Sequence, residues 1–147
     1  MASAAQFDLF SEVNADLRRR VEDVMASGNI LKVERDVLKA IMHYPSFGRH
    51  TAISIAEIQK VYSYSDRTIK GAVKSLLEEH GIPIGSCRTP GQNGYYLIVS
   101  DKDAEEASRP LQNEIMSMFR RLKVLSPKSA FVRQLNGQMD MLSKAQQ

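Results

Sequence analysis

Hydrophobic residues recur along this chain in short periodic stretches separated by polar turn signals. The stretch from residue 54 to 97 has the clearest pattern. Ser54-Ile55-Ala56-Glu57 places a Ser three residues ahead of a Glu before an apolar run, a reciprocal cap that predicts a short helix to about Val61. Tyr62-Ser63-Tyr64-Ser65 interrupts it, and Ser65 can cap a second helix beginning at Asp66. In that helix Ile69, Ala72, Val73, Leu76 and Leu77 follow an i, i+3, i+4, i+7, i+8 rhythm and predict a buried stripe. Arg67, Lys70, Gly71, Lys74 and Glu78 fall on the other side. Gly81 is expected to stop the helix. Ile82–Ser86 then reads as a strand, with Pro83 indicating an edge position, and Tyr95–Val99 as its partner across the turn-rich loop Arg88–Gly94.

The flanks carry weaker patterns. Val13, Leu17, Val21, Val24 and Met25 share one side of a helix expected over Ser11–Ala26, with Arg18-Arg19-Arg20 across the other. That triplet reads either as a solvated face or as a set of phosphate contacts. Val33, Val37, Leu38, Ile41 and Met42 predict a helix over Lys32–Tyr44, a loop follows at residues 45–50, and residues 51–53 can add a third short strand. Ser100 caps a long helix with Asp101 and Asp103 in its first turn, which Pro110 should bend or split. Beyond it Leu111, Ile115, Met118, Leu122 and Leu125 are spaced 4, 3, 4 and 3 apart, two heptads that fit either a dimer seam or a helix packed on its own domain. Ser126-Pro127 breaks the pattern. The last twenty residues, interrupted by Gly137, predict at best one marginal amphipathic segment.

The run from Ser54 to Leu97 resembles the winged helix-turn-helix module of the biotin-repressor type found in bacterial and phage regulators. In that family a Leu seven residues before S-x-R-T-V, an apolar-periodic helix ending L-x-x-x-G-x-x-I, a loop and G-Y-x-L recur. This chain supplies Ile58, Ser65, Arg67, Thr68, Ile69, Leu77, Gly81, Ile84, Gly94, Tyr95 and Leu97 at those places. It departs from the pattern at Gln59, where a small Ala is usual, and at Ser63 and Tyr64, which replace the Gly and small aliphatic of the turn and imply a wider one.

The expected fold class is therefore mainly α with a small β-hairpin (α+β), a winged helix-turn-helix with helical extensions at both ends. Its expected parts are a flexible peptide over 1–12, the winged-helix domain with its preceding helix over 13–100, a helix over 101–126 and a weakly ordered tail over 127–147. The resemblance implies a double-stranded DNA-binding protein, a small bacterial or phage regulator of transcription or replication. Candidate contacts are Ser65, Arg67, Thr68, Lys70, Gly71 and Lys74 on the second helix and its cap, with Arg88, Gln92 and Asn93 in the hairpin loop.

Charge modifies this expectation. The net charge is +3, but residues 1–50 hold 7 basic and 7 acidic side chains, residues 51–110 hold 7 and 8, and residues 111–147 hold 6 and 2. The excess lies outside the expected DNA-binding module, which must therefore act through a local basic face rather than long-range attraction.

Gln6-Phe7-Asp8-Leu9-Phe10 adds a second partner to consider. Gln, any residue, Asp or Ser, Leu, Phe resembles the peptide by which bacterial replication and repair proteins dock on the DNA sliding clamp, with Gln6, Leu9 and Phe10 as the contacts. Leu9 and Phe10 equally fit a hydrophobic staple onto the following helix. A protein-interaction module, for which Tyr62 and Tyr64 would suit, or a replication accessory factor binding both DNA and clamp, is thus the alternative to a regulator.

No chemistry of another kind is indicated. His43, His50 and His80 are not spaced with Cys87 or a carboxylate as a metal set, and the glycines at 91 and 94 lack the following helix of a phosphate loop. No nucleophile, base and orienter assemble from the spacing, so neither an enzyme nor a cofactor is expected. The single Cys87 excludes an internal disulfide framework and reads as a small buried or half-buried residue. No apolar run is long enough for a membrane span or leader, which gives a cytoplasmic expectation.

Overall fold

A computed structural model describes residues 15–43, 52–89 and 93–145. Among them run six helices and one hairpin: α1 (Ala15–Ala26), α2 (Lys32–His43), α3 (Ile55–Val61), α4 (Asp66–Glu78), β1 (Ile84–Cys87), β2 (Gly94–Leu97), α5 (Asp101–Leu125) and α6 (Ala130–Ala145). The protein is thus mainly helical with a small antiparallel sheet. It separates into two compact units, Met1–Ala107 and Ser108–Gln147.

The first unit is built around α4. Its Ile69, Ala72, Val73 and Leu76 are buried, and they join Val37, Leu38 and Ile41 of α2, Ile58 of α3, and Ile53, Ile82 and Leu97 in one apolar cluster. Leu17 and Val21 of α1 belong to the same cluster. Each large side chain so removed from water stabilises the unit by roughly 1.5–3 kcal/mol before entropy is counted. Leu77 departs from the expected stripe, being 41% exposed. It stands one residue, or about 100° of helix, past Leu76, which carries it beyond the edge of the covered face.

The caps explain where the helices begin. Ser54 and Glu57 make the reciprocal capping box of α3, and Ser65 Oγ accepts from the Thr68 N–H to open α4. At the far end of α4, Gly81 has φ +66°, a conformation open to glycine, and the Ile82 N–H closes the turn on the Leu76 carbonyl at 2.9 Å. Arg20 of α1 donates to the Gly81 carbonyl at 3.0 Å, tying the first helix to this turn.

The hairpin pairs Ile84 with Leu97, Gly85 with Tyr96, Ser86 with Tyr95 and Cys87 with Gly94. Both strands are displaced from the expected spans, because Pro83 has no N–H and a tight Ile84-to-Ile82 turn precedes β1; the Pro83 carbonyl still accepts from Ile98. Cys87 is buried, as expected of a lone small thiol. The anticipated third strand is reduced to one bridge, in which Ile53 and Tyr95 exchange two 2.8 Å hydrogen bonds. This bridge explains Gly94: a Cβ there would stand 2.1 Å from the Ile53 carbonyl oxygen.

In the region of Pro110 the backbone of α5 stays helical, so of the expected bend or split the split does not occur, although the two units divide at residues 107 and 108. The tail expected to be weakly ordered over 127–147 instead holds α6 through Gly137, with Ser129 Oγ accepting from the Val132 N–H as its cap. In the second unit Phe119 and Val132 are buried, with the Lys123 ammonium 5.4 Å from the Phe119 ring centre.

A buried polar cluster fastens α4 to α2. Glu34, 4% exposed, accepts from the Ser75 hydroxyl at 2.6 Å and the Leu31 N–H at 3.0 Å, and lies 3.1 Å from His80 Nε2. Burial alone pushes the Glu34 carboxyl up, but the hydrogen bonds from Ser75, Leu31 and His80 outweigh it and hold the group below its usual 4.5. A carboxyl lowered on folding contributes stability that is present in full above about pH 4.5 and lost as pH falls through its folded value. Glu34→Ala should therefore cost about 2–3 kcal/mol at neutral pH by leaving buried polar groups unpaired. In urea titrations the gap between the parent and Glu34→Gln should narrow in acid; a gap independent of pH would contradict this account.

Candidate nucleic-acid interface

The exposed side of α4 is set by its buried side. With Ile69, Ala72, Val73 and Leu76 turned inward, helical geometry directs Arg67, Thr68, Lys70, Gly71 and Lys74 outward, and all five are exposed. Among the described residues, Arg67, Lys70 and Lys74 make no ion pair or side-chain hydrogen bond, so three cationic heads face solvent within two turns of helix. Of the first unit's other cations some have partners, whereas Arg19, Lys39 and Lys60 are exposed and, among the described residues, also make no ion pair or side-chain hydrogen bond. Arg18 pairs with Glu22 at 3.0 Å, Arg20 binds the Gly81 carbonyl, and Lys32 lies 3.8 Å from Asp36. All three residues of the arginine triplet are exposed, Arg18 in its pair with Glu22 and Arg20 with its bond to the Gly81 carbonyl.

Ser65 and Thr68 are exposed but bound to one another. Their hydroxyls lie 2.8 Å apart, and Ser65 also accepts the Thr68 N–H at 3.1 Å, so Ser65 acts as a helix cap in the free protein. The turn before α4 is held by Gln59, whose amide donates to the Tyr64 carbonyl at 3.0 Å and to Asp66 Oδ1 at 2.8 Å. The Tyr64 N–H closes on the Tyr62 carbonyl at 2.9 Å. Gln59, where a small residue is usual in the family pattern, is thus the brace of the turn between α3 and α4.

Tyr62 and Tyr64 are drawn into this brace. Their rings stack with centroids 6.2 Å apart and planes 22° from parallel, and the Tyr64 hydroxyl donates to Asp36 Oδ2 at 2.7 Å. That hydrogen bond, followed by desolvation and the nearby negative charge, raises the Tyr64 phenol above its ordinary value. Both residues are half-buried.

The hairpin packs on α2 and α4. Tyr95, between Ser86 and Ile53 in the sheet, is half-buried, and burial raises its phenol; the Arg88 charge opposes the shift and the Asp66 charge adds to it. The charges of Arg88 and Asp66 are thus both felt at this one ring. Arg88 and Asn93 are exposed. Gln92 lies outside the described residues, as do Gln6, Leu9 and Phe10.

Nothing in the spacing of the sequence indicated Glu34, Ser75 and His80 as a group, since they are separated by 41 and 46 positions. Their order argues against an activated hydroxyl: Ser75 donates to the carboxylate, and no imidazole nitrogen accepts from it. Among the described residues, no group of three or more His, Cys, Asp or Glu is arranged to hold a metal ion, and no helix is long and apolar enough to cross a membrane.

Set against family models, curated proteins and solved structures, the chain matches none of them.

Gly71 gives this face a specific test. A Cβ there would meet nothing within 4 Å, and the residue sits in the middle of α4. Gly71→Ala should raise the unfolding free energy by about 0.5–1 kcal/mol through helix propensity. Chemical denaturation that shows a loss of stability instead would mean the position is already crowded in the folded protein.

Proposed function

We propose that residues 54–97 form a winged helix-turn-helix that binds double-stranded DNA, with α4 as recognition helix and the β1–β2 connection as wing, in a small bacterial or phage regulator of transcription or replication. One observation carries this reading: the uncommitted cations Arg67, Lys70 and Lys74 share a helix face with Gly71, while the opposite face is locked into the core. A helix so held presents a rigid row of donors at a width that fits a major groove. The absent side chain of Gly71 lets backbone approach phosphate, and Arg88 extends the positive edge from α4 to the hairpin.

Roles follow from position along the helix. Arg67, in the first turn, is placed to reach base edges, where its guanidinium can pair with both acceptors of a guanine. Thr68 can contribute once its hydroxyl turns from Ser65. Lys70 and Lys74 neutralise phosphates, which positions the helix without reading sequence. Lys74→Ala should weaken binding to every duplex alike and flatten the salt slope by about one unit, whereas Arg67→Ala should also relax sequence preference. Fluorescence anisotropy with specific and random duplexes checks both; unchanged affinity in both variants would remove α4 from the interface.

A second reading keeps the peptide at residues 6–10, whose Gln6, Leu9 and Phe10 match the clamp-docking pattern. On that reading the protein is an interaction module or replication accessory factor, with or without DNA binding. Replacing Leu9 and Phe10 together with Ala should abolish binding to a bacterial sliding clamp at unchanged melting temperature. A lowered melting temperature, with no clamp binding by the parent, would instead assign both side chains to the fold.

A further inference from the structure

The second unit leaves most of its apolar surface open. Leu111, Ile115 and Met118 of α5 are 57%, 54% and 51% exposed, and Leu125 is 82% exposed. These residues, with the half-buried Leu122, form one stripe in which Leu111, Met118 and Leu125 take d positions of a heptad and Ile115 and Leu122 take a positions. Phe119, at an e position, is buried, and a shallow cleft lined by Lys123, Pro127, Val132, Arg133 and Asn136 runs between α5 and α6. The e side of the stripe is thus the side that α6 approaches, and the g side is open. A continuous apolar stripe of this kind is uncommon on a monomer.

The g side carries two opposite charges. Glu114 and Arg121 occupy successive g positions, both are exposed, and among the described residues neither makes an ion pair or side-chain hydrogen bond. We infer that this stripe is covered by a second copy of the same chain, with the two α5 helices running antiparallel. In antiparallel pairing a positions face d positions, and centring the pair between Ile115 and Met118 makes four apolar layers: Leu111 faces Leu122 of the second copy, Ile115 faces its Met118, and the reverse. In the same register g faces g, so Glu114 of each copy falls beside Arg121 of the other. Parallel pairing would set g against e, placing Glu114 beside Phe119 and Arg121 beside Ser126, with no complementary charge. The charge pattern therefore selects both the occupant and its direction. The inference concerns residues 108–147 and does not depend on the DNA reading.

Sedimentation equilibrium of the full chain tests it, with circular dichroism as the check on folding. The parent should dimerise at micromolar concentration. Glu114→Arg alone and Arg121→Glu alone each replace two attractions per dimer with two repulsions, and each should weaken the dimer about tenfold or more. The double variant Glu114→Arg with Arg121→Glu restores both pairs across the two-fold axis and should recover the parent affinity. A monomeric parent would overturn the inference, as would single swaps without effect or a double swap that fails to recover.

Discussion

Burial of one stripe of α4 against α2 is the constraint on which the first unit depends. Ile69, Ala72, Val73 and Leu76 can leave water only if the opposite side of the same helix remains outside, and that side holds Arg67, Lys70, Gly71 and Lys74. The packing that stabilises the unit thus also fixes the direction of its uncommitted cations. Any displacement of α4 that turned these cations would expose apolar residues that belong to the central cluster.

Polar ties reinforce this packing where an apolar contact alone would leave freedom. Glu34 on α2 receives Ser75 from the last turns of α4 and His80 just beyond its end, so the carboxylate fastens that end of the helix. Gln59 braces the opposite end through Tyr64 and Asp66, and Arg20 holds the turn at Gly81. At the hairpin the two hydrogen bonds between Ile53 and Tyr95 fix the sheet to the segment that precedes α3. The start and finish of α4 are therefore held by side chains from three other segments, which limits its rotation and gives the exposed face a defined geometry.

Much of this local structure was legible in the sequence because its causes are local. Ser54 with Glu57, Ser65 before Asp66 and the 3-4 rhythm of Ile69 to Leu76 depend on neighbours within a turn or two. Leu77 fits the same rhythm, and only the extent of the facing surface decides that it lies past the edge. Glu34 was not legible as a hub, since a charged residue in an amphipathic helix ordinarily reads as solvated and its partners are more than forty positions away. Gln59 appeared as a departure from a family pattern, and only the turn geometry reveals the two hydrogen bonds it makes. The helix at Ala130–Ala145 is only faintly legible because Gly137 weakens it by propensity, while capping by Ser129 and the burial of Val132 act in its favour. Of the candidate interface, the α4 residues are legible from periodicity, whereas the tie of the hairpin to the segment before α3 depends on the Ile53–Tyr95 bridge, a contact across the fold.

In the proposed function, a small set of cations on α4 and the hairpin base makes a phosphate-binding face in a protein with little overall charge. Binding of the parent chain to random-sequence duplex DNA as a function of salt tests it most directly, because the slope counts neutralised phosphates. Four cations, Arg67, Lys70, Lys74 and Arg88, predict a plot of log affinity against log salt with a slope of about −3 to −4. No binding at low salt, or binding with a slope near zero, would contradict the account.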